Sequence, residues 1–235
     1  RKFIEGMSND YINSEKLIVI NQSAKKNKVN LKSKKKIITF VGKLNKAKGY
    51  DIFAKSIKKI LNKHPNWRAK IIGDEKREKI NLTHKNADVL GFLNHEKVLN
   101  IFKQTSIAVA CSRWEEPFGR TSLEASANGC AVIITNKGGL PETITNAKIL
   151  KNLNETNLEK NLNHLIINSK ERQKLQSLSI KNFYLTHSYV TKMIDDYRDE
   201  KFQINKKFFT NRKSSSLRIL HITNFNERLD GRLFF

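Results

Sequence analysis

Residues that cross-link or stiffen a chain are few in this sequence, which has two cysteines, three prolines and ten glycines among 235 residues. Cys111 and Cys130 lie in apolar runs without metal-site spacing, so we expect small buried side chains in a reducing compartment. No run of eighteen apolar residues occurs, so no segment predicts a membrane-spanning helix. Hydrophobic residues nevertheless make up 38% of the chain, which suits a folded core and excludes collagen, a coiled coil and wholesale disorder.

Acidic residues are also scarce, with 22 aspartates and glutamates against 45 lysines and arginines, and the net charge is +23. A strongly basic chain is the usual first sign of nucleic-acid binding. Here the excess is carried by 34 lysines and only 11 arginines, whereas phosphate recognition favours the planar guanidinium group. We therefore expect that nucleic acid is not the partner, and that the charge reflects codon composition or peripheral contact with an anionic membrane.

Strand and helix signals alternate through the middle of the chain. Apolar runs predict strands at 37–41, 67–72, 89–90, 107–110 and 131–134, and helical spacing predicts helices at 50–61, 95–102 and 121–128. This alternation predicts an α/β fold, a Rossmann-like parallel sheet with helices on both faces. Ligands of such sheets bind beyond the carboxyl ends of the strands, here Gly42, Gly73, Gly91, Ser112 and Thr135.

The flanking segments are less regular. The apolar run 17–20 predicts a buried strand, and residues 24–36, rich in lysine and asparagine, predict a solvated linker. Helical spacing continues from 150 to about residue 200. A serine-rich stretch at 214–216 then precedes a further apolar run at 217–223, which predicts a strand.

The most informative window is 112–125, which follows a predicted strand and opens a helix. Pro117 and Gly119 shape a tight entry, and the first turn of the helix offers free backbone N–H groups to an anion such as phosphate. Glu116 lies in the loop and Glu124 lies one to two turns into the helix. A ligand with hydroxyl groups at both ends and phosphates between them would use both carboxylates and the helix start together.

This window resembles the signature of the retaining GT-B glycosyltransferases known as glycosyltransferase family 4, or glycosyl transferases group 1. The family pattern, two glutamates separated by seven residues around a Pro-Phe-Gly turn, is matched by 116–119 and 124–125. Residues 138–142 and 41–49 resemble two further family segments, although Lys43 stands where the family usually has arginine. The resemblance covers about residues 14–200 and identifies the C-terminal, donor-binding half of a GT-B fold.

The resemblance implies a role for each matching residue. Glu116 would be catalytic and bind sugar hydroxyls, and Glu124 would accept hydrogen bonds from the ribose hydroxyls. Lys43 and Lys48 would hold the donor diphosphate, and Thr121 would cap phosphate at the helix start. The full set of implied donor-binding residues is Gly42, Lys43, Lys48, Phe118, Gly119, Arg120, Thr121 and Glu124.

The implied function is transfer of a sugar from a nucleotide-diphosphate sugar, with retention at the anomeric carbon, to a glycan or lipid acceptor. The expected setting is bacterial cell-envelope polysaccharide biosynthesis in the cytoplasm, at the inner face of the membrane, without a metal or other cofactor. One alternative is a glycogen- or sucrose-type synthase or phosphorylase. Another is a non-catalytic basic Rossmann-like module that binds anionic polymer or membrane.

The resemblance also predicts a division of the chain. Residues 1–30 would be a remnant of an N-terminal acceptor domain with its linker, and 31–200 the nucleotide-sugar-binding domain. Residues 201–216 would be a linker, and 217–235 the start of a second glycosyltransferase domain. Because GT-B chemistry uses a cleft between two domains, we expect this chain alone to bind donor without transferring sugar.

Overall fold

The computed structural model describes residues 18–209, with side chains through residue 201. These residues fall into two units, one ending at Thr191 and the other beginning at Lys192. The strands are β1 (Lys35–Val41), β2 (Arg68–Ile72), β3 (Ala87–Val89), β4 (Thr105–Ala110), β5 (Ala131–Thr135) and β6 (Lys148–Leu150). The helices are α1 (Tyr50–Lys63), α2 (His95–Gln104), α3 (Arg120–Ala127), α4 (Glu155–Ile167), α5 (Ser169–Lys181) and α6 (His187–Phe209), with 3-10 turns at Leu31–Ser33 and Leu140–Glu142.

The described strands form one parallel sheet in the order β3-β2-β1-β4-β5-β6, which confirms the predicted fold class. Successive side chains of a strand point to opposite faces, so Ile107 and Val109 join one apolar cluster while Ala108 joins another. Both faces of the sheet are therefore covered, which explains why its central strands are continuous apolar runs instead of alternating ones.

An aromatic cluster fixes helix α1 to the sheet. The ring centroid of Phe40 in β1 lies 5.4 Å from that of Tyr50 and 5.0 Å from that of Phe53. Burial of each such side chain contributes about 1.5–3 kcal/mol to folding. Because Phe40 and Tyr50 stand on either side of residues 42–49, their packing fixes both ends of this loop.

The predictions for the N-terminal flank need correction. Residues 18–20 form no strand, and their side chains are exposed. The positions beside the central strands are occupied by other segments of the sheet. Leu17, the first residue of the predicted strand, lies outside the described residues. The predicted linker 24–36 is only partly solvated. Ala24 is buried, and its N–H donates to the carbonyl of Leu185 at 3.0 Å. Lys34 is also largely removed from water and bonds backbone carbonyls of the domain.

The C-terminal part differs in smaller ways. Strand β6, at the edge of the sheet, is three residues long and gave too short an apolar run to be predicted. The predicted helical region is present as α4, α5 and α6, and α6 extends to Phe209, within the range 201–216 predicted as a linker. The predicted strand 217–223 and second domain 217–235 lie outside the described residues. The division into domains stays a prediction.

Candidate functional site

The loops that follow β1 and β4 leave the sheet side by side. From β1 the chain continues to β2 and β3 on one side, and it then returns to β4, β5 and β6 on the other. Ligands of open α/β sheets bind outside the carboxyl ends of the strands where the strand order reverses in this way. The two predicted motifs, 42–49 and 112–125, therefore both begin at this switch point.

Glycines allow the loops on the β1 side to touch. The N–H of Gly42 donates to the carbonyl of Ile72 at 3.0 Å, and the N–H of Gly73 donates to Gly91 at 2.8 Å. A Cβ atom on Gly73 would lie 1.9 Å from the carbonyl oxygen of Gly42. Gly42 thus lies at the carboxyl end of β1, as predicted, within a backbone contact that a side chain at Gly73 would break.

The buried side chain of Asn45 stabilises the loop 42–49, called the basic loop below. Its Oδ1 accepts a hydrogen bond from the backbone N–H of Lys48 at 3.0 Å, and its Nδ2 donates to Glu75 at 3.1 Å. Hydrogen bonds from Arg77 and from Asn45 lower the pKa of Glu75 to about 2, so this carboxylate is ionised at neutral pH. The side chain of Lys43 is exposed, with no hydrogen bond or ion pair to a residue of the described range.

The same loop is tied to the segment after β4. The N–H of Arg113 donates to the carbonyl of Ala47 at 2.8 Å, and its guanidinium group binds both carboxylate oxygens of Asp51 at 2.6 and 2.8 Å. Burial raises the pKa of Asp51, but hydrogen bonds and charge from Arg113 outweigh it, so the net shift is downward. A Cβ on Gly49 would lie 2.0 Å from the carbonyl oxygen of Cys111, so the two segments are in backbone contact.

Lys48 and Glu116, both predicted from the sequence, meet in the structure. The ammonium nitrogen of Lys48 lies 2.5 Å from Oε1 of Glu116, with 32% and 13% of the side chains exposed. The backbone carbonyl of Glu116 accepts from the N–H of Gly139 at 2.6 Å. A Cβ on Gly138 would lie 2.2 Å from that carbonyl oxygen, so the loop 138–139 supports Glu116 at close range.

Helix α3 begins beside this pair. Gly119 is its N-cap, with a φ of 100°, and none of the side chains that the structure describes caps the start of this helix. The first-turn N–H groups, which include those of Arg120 and Thr121, therefore remain available to an anion. The side chain of Thr121 is half-buried, while the ring of Phe118 is buried in a separate apolar cluster, so a role for Phe118 at the site falls to its backbone.

Glu124 is more buried than Glu116, with 9% of its side chain exposed against 13%. Its Oε1 accepts hydrogen bonds from Nε of Arg120 at 2.7 Å and from Nε2 of His95 at 2.9 Å. Arg120 is on the same helix one turn earlier, whereas His95 starts helix α2. The structure thus adds His95 to the predicted set.

The glycine pair 138–139 lies in the segment 138–142 that resembles the family, whereas sequence reasoning missed two contributors to the site, Asn45 and His95. Each follows the carboxyl end of a strand in the chain, and this position was the available signal. The two cysteines are free and buried, as predicted, and burial raises the pKa of Cys111 to about 12 and of Cys130 to about 11. Burial thus favours the neutral form of both thiols. Within the part of the chain that the structure describes, no three His, Cys, Asp or Glu side chains are grouped as metal ligands would be.

The site combines two carboxylates with two kinds of positive charge. Glu116 and Glu124 can accept hydrogen bonds from hydroxyl groups, while Lys48 and the uncapped start of α3 attract phosphate oxygens. Because the loop 117–119 joins the two halves, one ligand with hydroxyls at its ends and phosphates between them fits the chemistry of the whole site.

Comparison with known proteins places this arrangement in a family. The family model described as "Glycosyl transferases group 1" matches residues 21–181, well over half of the chain. The chain is 29% identical over 162 residues to the spore coat protein SA of Bacillus subtilis, which covers 62% of this chain and 43% of that protein. It is also 29% identical over 121 residues to the lipopolysaccharide core biosynthesis mannosyltransferase LpsB of Rhizobium meliloti, covering 47% of this chain and 34% of that protein.

A solved structure shows the same fold. The Anabaena protein Alr3699/HepE, in complex with UDP-glucose, superimposes with a TM-score of 0.61 at 17% identity, over 71% of this chain and 49% of that one. The chain thus spans less than half the length of these three proteins. Among the helices of the described residues, none is long and apolar enough to cross a bilayer.

Proposed function

Because the chain belongs to the glycosyl transferases group 1 family, we propose that it carries the donor-binding half of a retaining, family 4 GT-B glycosyltransferase. The observation that carries this proposal is the contact between Lys48 and Glu116 beside the uncapped start of α3. The donor is a nucleotide-diphosphate sugar, since such a ligand offers sugar hydroxyls, a diphosphate and ribose hydroxyls in one molecule.

The proposed binding mode follows the order of groups in the site. Lys48, Lys43 and the first-turn N–H groups of α3 hold the diphosphate, Glu116 accepts from sugar hydroxyls, and Glu124 accepts from the ribose. Positive charge on the diphosphate stabilises the leaving group as the bond to the sugar breaks, which is electrostatic catalysis. This chemistry requires no metal or other cofactor. Retention of configuration is proposed from the paired-glutamate signature.

The proposed acceptor is a glycan or lipid of the bacterial cell envelope. The mannosyltransferase relative in lipopolysaccharide core biosynthesis supports this class. A net charge of +23 supports peripheral contact with an anionic membrane, and we place the reaction at the cytoplasmic face. A glycogen- or sucrose-type synthase shares the same donor chemistry and differs in the acceptor. A non-catalytic basic module that binds anions does not require a carboxylate such as Glu116 beside Lys48, so this pair favours the enzyme.

Calorimetry with UDP-glucose and GDP-mannose tests the donor site. We expect Lys48→Ala and Glu124→Ala each to weaken binding about tenfold or more, since each removes a charge-assisted contact. Lys46→Ala is the matched control, because Lys46 lies in the same loop and its exposed side chain has no partner within the described range. Its affinity should stay within about twofold of wild type. Unchanged affinity in both site variants would contradict the proposed donor site.

A further inference from the structure

The Lys48–Glu116 pair brings together two groups that the proposed donor would use separately. Within the described residues, the Lys48 ammonium has no partner other than Glu116, and the Glu116 carboxylate has none other than Lys48. Without a ligand, each charge therefore neutralises the other at 2.5 Å. A diphosphate that engages Lys48 competes with Glu116 for the N–H donors and the positive charge of this ammonium.

A sugar nucleotide and a nucleoside diphosphate differ in the contacts that they offer to Glu116. The sugar nucleotide replaces the ammonium on Glu116 with sugar hydroxyl groups, so both members of the pair regain partners. A nucleoside diphosphate offers no hydroxyl there, and its terminal phosphate carries additional negative charge toward Glu116. A carboxylate that is 13% exposed, shares its one cation with a phosphate and faces this second anion at short range, is unfavourable.

We propose that the Lys48–Glu116 pair makes this site select sugar nucleotides against nucleoside diphosphates and expels the diphosphate after the sugar has left. This inference rests on the proposed function and adds a specificity role to Glu116. Once the sugar is transferred, Glu116 loses its hydroxyl partners and competes again for Lys48. The contact that recognises the donor thus also weakens the hold on the product.

The backbone around both residues keeps the pair in place. Lys48 is fixed by the hydrogen bond from its N–H to Asn45, and the next residue, Gly49, is in backbone contact with Cys111. Glu116 is fixed by the bond from Gly139 to its carbonyl oxygen. Because these contacts hold the backbone at both residues, the two side chains start within reach of each other and Glu116 stays near any phosphate bound to Lys48.

The test compares UDP with UDP-glucose, and GDP with GDP-mannose, by calorimetry on the 235-residue chain. In Glu116→Gln, the amide keeps the shape of the side chain but no longer competes for Lys48. We expect nucleoside diphosphates to bind about fivefold more tightly than to wild type. The ratio of their affinity to that of the sugar nucleotide should rise by a similar factor.

Glu115→Gln is the matched control, since it removes one negative charge at the neighbouring position without releasing Lys48. Glu115 pairs with Lys137 at 2.8 Å and accepts from the N–H of Gly138, which a glutamine oxygen can also do. This variant should bind both ligands as wild type does. An equal gain in Glu115→Gln and Glu116→Gln would show a general charge effect and overturn the inference.

Lys48→Met separates the inference from the proposed function. If Lys48→Met weakens diphosphate binding while Glu116→Gln leaves it unchanged or weaker, the donor site stands and the selectivity role is wrong. If Lys48→Met leaves diphosphate binding unchanged, Lys48 is not a phosphate ligand, and both the proposed donor site and the inference fail.

Discussion

At the scale of single residues, the two site carboxylates differ in the cations that hold them. Glu116 is held by a lysine from a distant loop, whereas Glu124 is held by Arg120 and His95. Both hydrogen bonds on Glu124 go to Oε1. The other oxygen of this carboxylate therefore stays available to ribose hydroxyls in the proposed binding mode.

His95 is expected to position Glu124 instead of binding donor itself. His95→Ala should weaken nucleoside diphosphate binding about two- to tenfold, since one hydrogen bond that orients a buried carboxylate is lost. His95→Gln should restore most of the affinity, because its amide N–H can donate to the same oxygen. Calorimetry with UDP and GDP measures both variants.

The control for His95 is His84→Ala, which removes an imidazole that bonds Asn62 at 3.0 Å, outside the site. It should leave the affinity unchanged. An equal loss of affinity in His95→Ala and His95→Gln would mean that the ring itself contacts the nucleotide, and no loss in either would remove His95 from the site.

At the scale of elements, Lys34 joins strand β1 to the ends of two helices. Its ammonium donates to the carbonyl of Phe102 in α2 at 2.9 Å and to that of Asn128, just after α3, at 2.6 Å. Burial lowers its pKa, as expected for an ammonium removed from water. The two helices that carry His95 and Glu124 are thus fastened to the same strand.

We therefore expect Lys34→Met to lower the free energy of unfolding by about 1–3 kcal/mol, because two helix-end carbonyls lose a charged donor. Urea denaturation measures the change. Lys36→Met is the control, since Lys36 lies two residues further on, in β1, with an exposed side chain, and its effect should stay within about 0.5 kcal/mol. If Lys34→Met lowers the free energy of unfolding no more than Lys36→Met does, the hydrogen bonds of Lys34 make no net contribution to stability.

At the scale of the whole molecule, the chain spans 43% of the spore coat relative and 49% of the UDP-glucose-bound neighbour. We expect the 235-residue chain to bind UDP-glucose or GDP-mannose without transferring sugar. Release of nucleoside diphosphate in the presence of a bacterial membrane extract measures transfer, and calorimetry on the same preparation measures binding. Robust transfer by this chain would show that the donor half suffices for catalysis.

The sequence predicted the order of elements and the site window because both depend on local patterns. Apolar runs of strand length and helical spacing of apolar residues identified the central strands and α1 to α3 within a few residues. The Pro-Phe-Gly turn between Glu116 and Glu124 is likewise contained in one short segment. The prediction of a strand at 18–20 was wrong, because the composition of this run suits a strand but other segments fill the central positions of the sheet.

The sequence by itself therefore determined the fold class, the identity of the two carboxylates and the basic loop. Only the tertiary structure decided that Lys48 contacts Glu116, that His95 holds Glu124 and that Lys34 bonds the carbonyls at two helix ends. The physical reason is strand order. Local patterns specify a strand, but they do not specify which strands become neighbours. The placement of β1 beside β4 brings their loops together, and with them Lys48 and Glu116.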